Sequence, residues 1–452
     1  LSGFVINPVS AGDHIGHSVA SAGDINGDGY DDIIIGAPYA DPNDIDRAGE
    51  TYVVLGKQNN YDASFDLSSL DGSNGFVING TETGGISGFV VSSGGDINDD
   101  GFNDMIVSSP TAGFGISGRV DVIFGKSDSD RMSDDNYNAD GDADLGDSFD
   151  LSSLTDGDAD GSDGFAMTWS MLSALGQSIS EAGDINSDGI GDIVMYAPGP
   201  TGNSRRAYAV FGTKNGFNPS IGPGDLDGKN GFVIITPDGA AANVPSTNIS
   251  SAGDINGDGV DDIIVGVNGA NDNKGKSFVV FGRDVVNDGD FSKNVTLASL
   301  ESGDGSNGFA INGINAGDRS GYSVSDAGDI NGDGIDDILI GAHGASSEAG
   351  KTFVVFGKDS TAGETFDASI NLSSLDGSNG FVINGINEGD ESGYSVSSAG
   401  DMNNDGFDDI IIGARQGKLV GDGESYVIFG MSSFDPVIEL SDLTGLALTG
   451  LA

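Results

Sequence analysis

A nine-residue phrase with oxygen-bearing side chains at alternate positions occurs six times along the chain. In the first copy these residues are Asp24, Asn26, Asp28 and Asp32, and Gly29 stands at the sixth position. Carboxylate and amide oxygens with this spacing suit Ca²⁺, glycine permits the sharp turn, and the carbonyl of the seventh residue adds a ligand. The phrase therefore predicts a calcium-binding loop.

Each of the six loops is predicted to hold one structural Ca²⁺, so we expect six ions per chain. The predicted ligands stand at the first, third, fifth, seventh and ninth positions, the seventh acting through its carbonyl oxygen: Asp24, Asn26, Asp28, Tyr30, Asp32; Asp96, Asn98, Asp100, Phe102, Asp104; Asp184, Asn186, Asp188, Ile190, Asp192; Asp254, Asn256, Asp258, Val260, Asp262; Asp329, Asn331, Asp333, Ile335, Asp337; Asp401, Asn403, Asp405, Phe407, Asp409. Because like charges repel at such short range, these crowded carboxylates call for a cation.

Two other interpretations of the phrase compete with a calcium-binding loop of this kind. An EF-hand loop opens in the same way but requires a Glu at its twelfth position, on a following helix. Here the twelfth residues are apolar and lie in strand-like runs: Ile35, Val107, Met195, Val265, Ile340 and Ile412. A set of metal-free Asp, Asn and Gly turns is the other alternative, and six intact copies disfavour it.

The loops lie within repeats of four short apolar runs, shown in the first repeat by 16–21, 32–36, 51–56 and 75–80. A polar linker that ends at 67–75 separates the third run from the fourth and is predicted to be a loop or a short edge segment. Four short strands cannot bury both faces alone, whereas radial stacking of such units buries them. We therefore predict an all-β protein, a β-propeller of four-stranded antiparallel blades.

The chain is predicted to form one propeller domain over 1–452, with repeat cores at 16–80, 88–168, 176–236, 244–313, 321–385 and 393–450. Six blades are favoured, and seven are possible if the termini or another chain complete the ring. The fourth-strand phrase occurs seven times, so 440–452 is predicted to be a surplus C-terminal strand. Such a strand could cap an edge, begin a further blade or pair with a neighbouring molecule.

Two further stretches are rich in aspartate, the insertion 127–147 and the segment 156–163. Both supply oxygen ligands, but 156–163 lacks the closing aspartate of the repeated phrase. Additional calcium sites and solvated acidic loops are therefore both open interpretations of these stretches.

The composition narrows the class of partner. A formal charge of −53, from 71 acidic and 18 basic residues, excludes nucleic acid, because phosphate binding requires clustered Lys and Arg. Regularly spaced apolar runs predict a folded core, and no apolar run reaches the length of a membrane span. The chain has no Cys, and its first residues resemble neither an initiating Met nor a signal sequence, which suggests a processed or excised segment.

No catalytic or organic-cofactor site is predicted, so the chain is interpreted as a non-enzyme. The three histidines, His14, His17 and His343, are interpreted as loop residues. The sequence shows no Gly-x-Ser-x-Gly elbow with partners and no His-Glu-x-x-His motif. Trp169 is the single tryptophan, which leaves little support for an aromatic sugar platform.

The phrases Gly36-Ala37-Pro38 and Ser320-Gly-Tyr-Ser-Val resemble those of the FG-GAP repeat family, found in integrin α subunits and their bacterial relatives. The resemblance implies a propeller, usually of seven blades, with calcium in the loop between the first two strands of a blade. It also implies an extracellular or cell-surface adhesion or recognition module whose partner is an extracellular protein or glycan. The alternatives are a surface-layer or filament subunit assembled by strand donation from the C-terminal strand, and a glycan-binding lectin or propeller-scaffold polysaccharide-active enzyme.

Overall fold

The structure is a computed structural model that describes residues 4–58, 63–113, 117–131, 148–156, 159–168, 174–198, 205–237, 247–416, 423–443 and 448–449. Most of the acidic insertion 127–147, residues 157–158 and Trp169 lie outside the described residues. Of the helices in the described ranges, none is both long enough and apolar enough to cross a membrane.

Short strands dominate the described part of the chain, and they follow the β-branched and aromatic runs of the sequence. The first sixteen are β1 Val5–Asn7, β2 Ser18–Gly23, β3 Asp32–Ala37, β4 Glu50–Val54, β5 Ser64–Asp66, β6 Gly75–Asn79, β7 Val91–Gly95, β8 Asp104–Ser109, β9 Arg119–Ile123, β10 Ser148–Asp150, β11 Gly164–Thr168, β12 Ser178–Gly183, β13 Asp192–Ala197, β14 Arg206–Val210, β15 Ser220–Ile221 and β16 Gly231–Ile235. The remainder are β17 Thr247–Gly253, β18 Asp262–Val267, β19 Lys276–Val280, β20 Asn294–Thr296, β21 Gly308–Asn312, β22 Val324–Gly328, β23 Asp337–Ala342, β24 Lys351–Val355, β25 Ser369–Asn371, β26 Gly380–Asn384, β27 Ser392–Gly400, β28 Asp409–Ala414, β29 Glu424–Ile428, β30 Val437–Glu439 and β31 Leu448–Thr449.

Helices are confined to single turns in the connections. The α-helices in the described residues are α1 Asp128–Arg131, α2 Ala270–Asn273, α3 Leu297–Glu301 and α4 Ala345–Glu348. The 3₁₀ turns there are Pro42–Asp44, Leu67–Ser69, Leu151–Leu154, Ser360–Ala362, Leu372–Ser374 and Leu440–Asp442. The predicted all-β class is therefore confirmed.

The chain divides into two compact units. Unit 1 comprises Leu1–Glu181, Ile190–Pro200 and Tyr208–Gly231, and unit 2 comprises Ala182–Gly189, Thr201–Ala207 and Phe232–Ala452. Strands β12, β13, β14 and β16 lie where the chain passes from one unit to the other.

Within each unit the four strands of a repeat lie side by side in chain order and pair antiparallel. The strand orders are β10-β6-β4-β3-β2 and β15-β11-β9-β8-β7 in unit 1, and β17-β18-β19-β21-β25, β22-β23-β24-β26-β30 and β27-β28-β29-β31 in unit 2. The second strand of a repeat is an uninterrupted apolar run, as in β3 and β18, because it is buried on both faces.

A fifth strand extends four of these sheets beyond the four predicted strands. In unit 1, β10 pairs in parallel with β6, and β10 belongs to the linker of the following repeat. Its Phe149 is buried in the core that also contains Phe76 of β6. The linker is therefore an edge strand that fastens one repeat to the preceding one.

Both chain ends occupy fourth-strand positions. β1 pairs in parallel with β5 and aligns Val5 with Ser64, just as Val77 of β6 aligns with Ser148 of β10. β31 pairs antiparallel with β29 and takes the fourth place in the last sheet. The C-terminal segment 440–452 was predicted to be surplus, but its described strand, Leu448–Thr449, completes the sixth repeat.

Stacked phenylalanines secure the attachment of the linkers in unit 2. The rings of Phe309 and Phe366 are stacked with centroids 4.1 Å apart, and those of Phe381 and Phe434 with centroids 4.2 Å apart. In each pair the first ring belongs to a fourth strand and the second to the next linker. Buried aromatic pairs contribute about 0.5–1.5 kcal/mol beyond their buried area, so successive repeats are joined through their apolar cores as well as through their strands.

Candidate calcium-binding loops

Each acidic loop connects the first two strands of a repeat, and a strand follows it, as the apolar twelfth positions predicted. In the hairpin of β2 and β3 the register shifts between Ser21 and Gly23, immediately before the loop. Gly23 has a φ of 69°, a conformation that glycine adopts without the steric cost of a Cβ. This bulge ends the strand and turns the chain into the loop.

The first aspartate of every loop caps backbone N–H groups of its own loop. Oδ1 of Asp24 accepts the N–H of Asp28 at 3.0 Å, and Oδ2 accepts the N–H of Gly29 at 2.8 Å. The same bonds from the fifth and sixth residues recur at Asp96, Asp184, Asp254, Asp329 and Asp401. The six loops therefore share one tightly turned conformation.

The ninth aspartate is buried in every loop and bridges that loop to the third strand of the same repeat. Oδ1 of Asp32 accepts the N–H of Gly56 at 2.7 Å, and Oδ2 accepts the N–H of Ile25 at 3.0 Å. Equivalent bonds from the glycine after the third strand reach Asp104, Asp192, Asp262, Asp337 and Asp409.

Burial makes the charged form of four of these ninth-position carboxyls costly. It raises the pKa of Asp32 to about 7 and that of Asp104 to about 8, although both accept backbone hydrogen bonds that act in the opposite direction. It also raises the pKa of Asp262 and Asp337 well above the usual range. The first- and fifth-position carboxylates of the same loops add to each shift. A nearby cation would restore the charged form.

The donor set fits a hard divalent cation. Within the described ranges no three Asp, Glu, His or Cys side chains converge closely enough to enclose an ion, and the first-position carboxylates are turned towards backbone N–H groups. The loops nevertheless supply oxygen ligands only. At the third position of the fourth loop, Oδ1 of Asn256 is buried and has no hydrogen-bond partner among the described residues. An ion bound there would satisfy this oxygen and the buried carboxylates together.

The eighth position of the loops, which was not predicted to have a role, links one repeat to the preceding one. Oδ2 of Asp336 accepts the N–H of Asp254, the first residue of the preceding loop, at 2.8 Å. The same bond joins Asn103 to Asp24, Asp261 to Asp184 and Asp408 to Asp329. The recurrence of Asp or Asn at the eighth position is a signal that could have identified these caps.

We expect the variant Asp336→Ala to lower the free energy of unfolding of unit 2 by about 1–3 kcal/mol, because it leaves the partly buried N–H of Asp254 without its acceptor. Asp336→Asn should retain most of the stability, since Asn103 performs the same role in the first joint. The matched control is Asp31→Ala, because Asp31 also stands at an eighth position but is exposed. Chemical denaturation of dilute protein measures all three; equal effects of Asp336→Ala and Asp31→Ala would contradict the capping role.

The three histidines lie in different surroundings. His14 and His17 contact the rings of Tyr39 and Phe89, respectively. His343 is buried against Tyr322, and neither of its ring nitrogens has a hydrogen-bond partner in the described part of the chain. Burial, together with Arg319 and Arg415, lowers the pKa of His343 to about 4. His343 is therefore neutral at physiological pH.

Repeated antiparallel sheets, each with an oxygen-rich loop in its first hairpin, define a repeat protein of the β-propeller type. Residues 16–54, 247–280, 320–355 and 392–428 match the FG-GAP repeat family. These segments cover the loop and the first three strands of repeats one, four, five and six. The chain therefore carries FG-GAP repeats, which imply a β-propeller, and the predicted resemblance is confirmed.

Part of the chain is also similar to integrin α subunits. It is 37% identical over 123 residues to integrin alpha pat-2 of Caenorhabditis elegans, which covers 26% of this chain and 10% of that protein. It is 33% identical over 119 residues to integrin alpha-IIb of Mus musculus, covering 25% of this chain and 11% of that protein. Integrin alpha-8 of Homo sapiens is 31% identical over 119 residues, again 25% of this chain and 10% of that protein. The matches span only about a tenth of the length of these relatives.

Proposed function

We propose that this protein is an extracellular calcium-binding β-propeller that acts as an adhesion or recognition module. The observation that carries the calcium role is the sixfold recurrence of a buried, bridging ninth-position aspartate in an oxygen-rich loop. The FG-GAP matches and the similarity to integrin α subunits support the recognition role. The partner would be an extracellular protein or glycan.

In each loop the side chains of the first, third, fifth and ninth residues and the carbonyl of the seventh would hold one Ca²⁺. The ion would neutralise the carboxylates and fix the hairpin loop against the end of the third strand, where the ninth aspartate already bonds. Six ions would add twelve positive charges and change the formal charge from −53 to −41. This role is structural, and the chain itself is proposed to have no catalytic site.

The recognition role is tested by coating beads with the full chain and probing them with an array of extracellular proteins and glycans, in calcium and in chelator. We expect calcium-dependent binding to a subset of the array. The variant Asp262→Asn/Asp337→Asn should lose this binding, whereas the matched variant Asp304→Asn/Asp376→Asn, at two exposed positions, should retain it. A folded, calcium-loaded protein that binds no member of the array would contradict the recognition role, and selective binding of glycans would favour the lectin alternative.

A further inference from the structure

A pocket lies between the end of the third strand and the linker of the same repeat, and it recurs in repeats four and five. We call it the linker pocket. In repeat four its volume is about 400 Å³, and its lining includes Phe281, Arg283, Phe291, Ser299 and Asn307. In repeat five its volume is about 540 Å³, and its lining includes the equivalent residues Phe356, Lys358, Phe366, Ser374 and Asn379. Both pockets lie within unit 2, and both are large enough for one small ligand.

Each linker pocket holds one basic side chain against the ring of the linker phenylalanine. Cζ of Arg283 lies 5.2 Å from the centroid of the Phe291 ring, and Nζ of Lys358 lies 4.9 Å from that of Phe366. The two phenylalanines are buried, and the two basic side chains are partly buried. Because the ring attracts the positive charge, each cation is held in place at the wall of its pocket.

The two cations have no counter-ion within the described ranges. Nη2 of Arg283 donates to Oδ1 of Asn307 at 3.0 Å, and Nζ of Lys358 donates to the carbonyl oxygen of Thr365 at 2.7 Å. Both acceptors are neutral, and most of the five N–H donors of the guanidinium remain available. A fixed cation with unused donors at the wall of a pocket favours a ligand that carries a carboxylate.

Repeat two shows the same position with its cation neutralised. Lys126 occupies the place of the cation there and forms an ion pair with Asp163. Asp163 occupies the place that Asn307 and Asn379 have in repeats four and five. The repeat can therefore accommodate an internal counter-ion, and the amide in the two later repeats leaves the charge open to an external one.

The other lining groups indicate the rest of the ligand. Each pocket offers a serine hydroxyl and an asparagine amide, which can donate to and accept from the hydroxyl groups of a ligand. In repeat five Glu364 and Asp367 also line the pocket, and they would repel a ligand with several negative charges. A uronic acid, which is a sugar with one carboxylate and several hydroxyls, matches this combination.

We propose that the linker pockets of repeats four and five each bind one uronic acid residue of an extracellular glycan. The sugar carboxylate pairs with Arg283 or Lys358, and the sugar hydroxyls bond to the serine and the asparagine of the same pocket. This inference rests on the proposed recognition function and names a ligand class for it.

The role of the carboxylate is tested by competition for a fluorescein-labelled oligoglucuronate, followed by fluorescence anisotropy on the calcium-loaded full chain. The competitors are methyl glucuronoside and methyl glucoside, which differ only at C6, a carboxylate in the first and a hydroxymethyl group in the second. The buffer has physiological ionic strength, which screens long-range repulsion from the acidic surface. We expect the glucuronoside to compete at least about tenfold better, because charge-assisted hydrogen bonds are about twice as strong as neutral ones. Equal competition, or no binding of the labelled probe, would overturn the proposal.

The variant Arg283→Met/Lys358→Met removes both charges but keeps an apolar stem that packs on the phenylalanine rings. It should bind the labelled probe at least about tenfold more weakly than the native chain. The matched control is Lys274→Met/Arg319→Met, which removes two exposed cations outside both pockets and should bind like the native chain. Equal loss in the two variants would show that only the overall charge matters and would overturn the proposal.

A second variant, Asn307→Asp/Asn379→Asp, guards against misfolding. It supplies each cation with the internal counter-ion that Asp163 provides in repeat two. We expect it to lose probe binding without a lower melting midpoint, and native-like binding by this variant would contradict the proposed site. A native chain that binds protein ligands in the bead array but no uronate would overturn this inference and leave the proposed recognition function standing.

Discussion

Chelation of calcium is expected to lower the midpoint of thermal unfolding by about 15 °C. A ligand at a hundred times its Kd stabilises a protein by about 2.7 kcal/mol per site, and three such sites in a unit of roughly 220 residues give a shift of that size. The loss is large because the carboxylates stay behind, buried and mutually repulsive, when the ion leaves. Scanning calorimetry of the full chain, in excess calcium and in excess chelator, measures the shift.

The controls for this experiment separate specific sites from general screening of the −53 charge. Added sodium chloride at matched ionic strength should restore little of the lost stability, since it screens exposed charges much more than buried ones. Metal analysis of the dialysed protein should find close to six calcium ions, one for each loop. A melting midpoint that chelator leaves unchanged would remove structural calcium from the proposed function.

The second large effect is that calcium abolishes the pH dependence of stability near neutral pH. In the calcium-free protein the pKa of Asp104 is raised to about 8, and the pKa values of Asp262 and Asp337 are raised well above the usual range. The folded state therefore binds more protons than the unfolded state, and stability falls as pH rises from 6.5 to 8.5. Each such carboxyl contributes a slope of up to about 1.4 kcal/mol per pH unit. With calcium the slope should fall to near zero in this window, because the carboxylates that hold the ion are deprotonated in the folded state, as they are in the unfolded state.

Denaturation curves at several pH values, with calcium and with chelator, provide the measurement. In this pH window the His343 imidazole is neutral, since its pKa lies at about 4, so it does not obscure the carboxyl titration. The variant Asp104→Asn isolates one site: it should stabilise the calcium-free protein at pH 8.5 and destabilise the calcium-loaded protein. An equally steep fall of stability in both conditions would show that the ninth-position carboxyls do not bind the ion.

The sequence by itself determined the features that depend on neighbouring residues. The strand runs follow from β-branched and aromatic residues a few positions apart, and the all-β class follows from those runs. The loop position follows from the glycine and aspartate spacing, and the apolar residue at position twelve, such as Ile35, correctly placed a strand after it. That these loops bind calcium stays a prediction of the spacing and of the chemistry of the buried carboxyls.

Only the tertiary structure decided which repeats contact each other and through which atoms. Asp336 caps Asp254 across 82 residues, and β10 leaves its own repeat to pair with β6 of the preceding one. Local patterning cannot specify such pairs, because the sequence of a polar linker or an eighth loop position is compatible with many solvated conformations. The same holds for the chain ends: the recurring fourth-strand phrase predicted that 440–452 is surplus, whereas packing placed Leu448–Thr449 in the sixth sheet and Val5–Asn7 beside β5. Long-range burial, which local spacing does not encode, selected these partners.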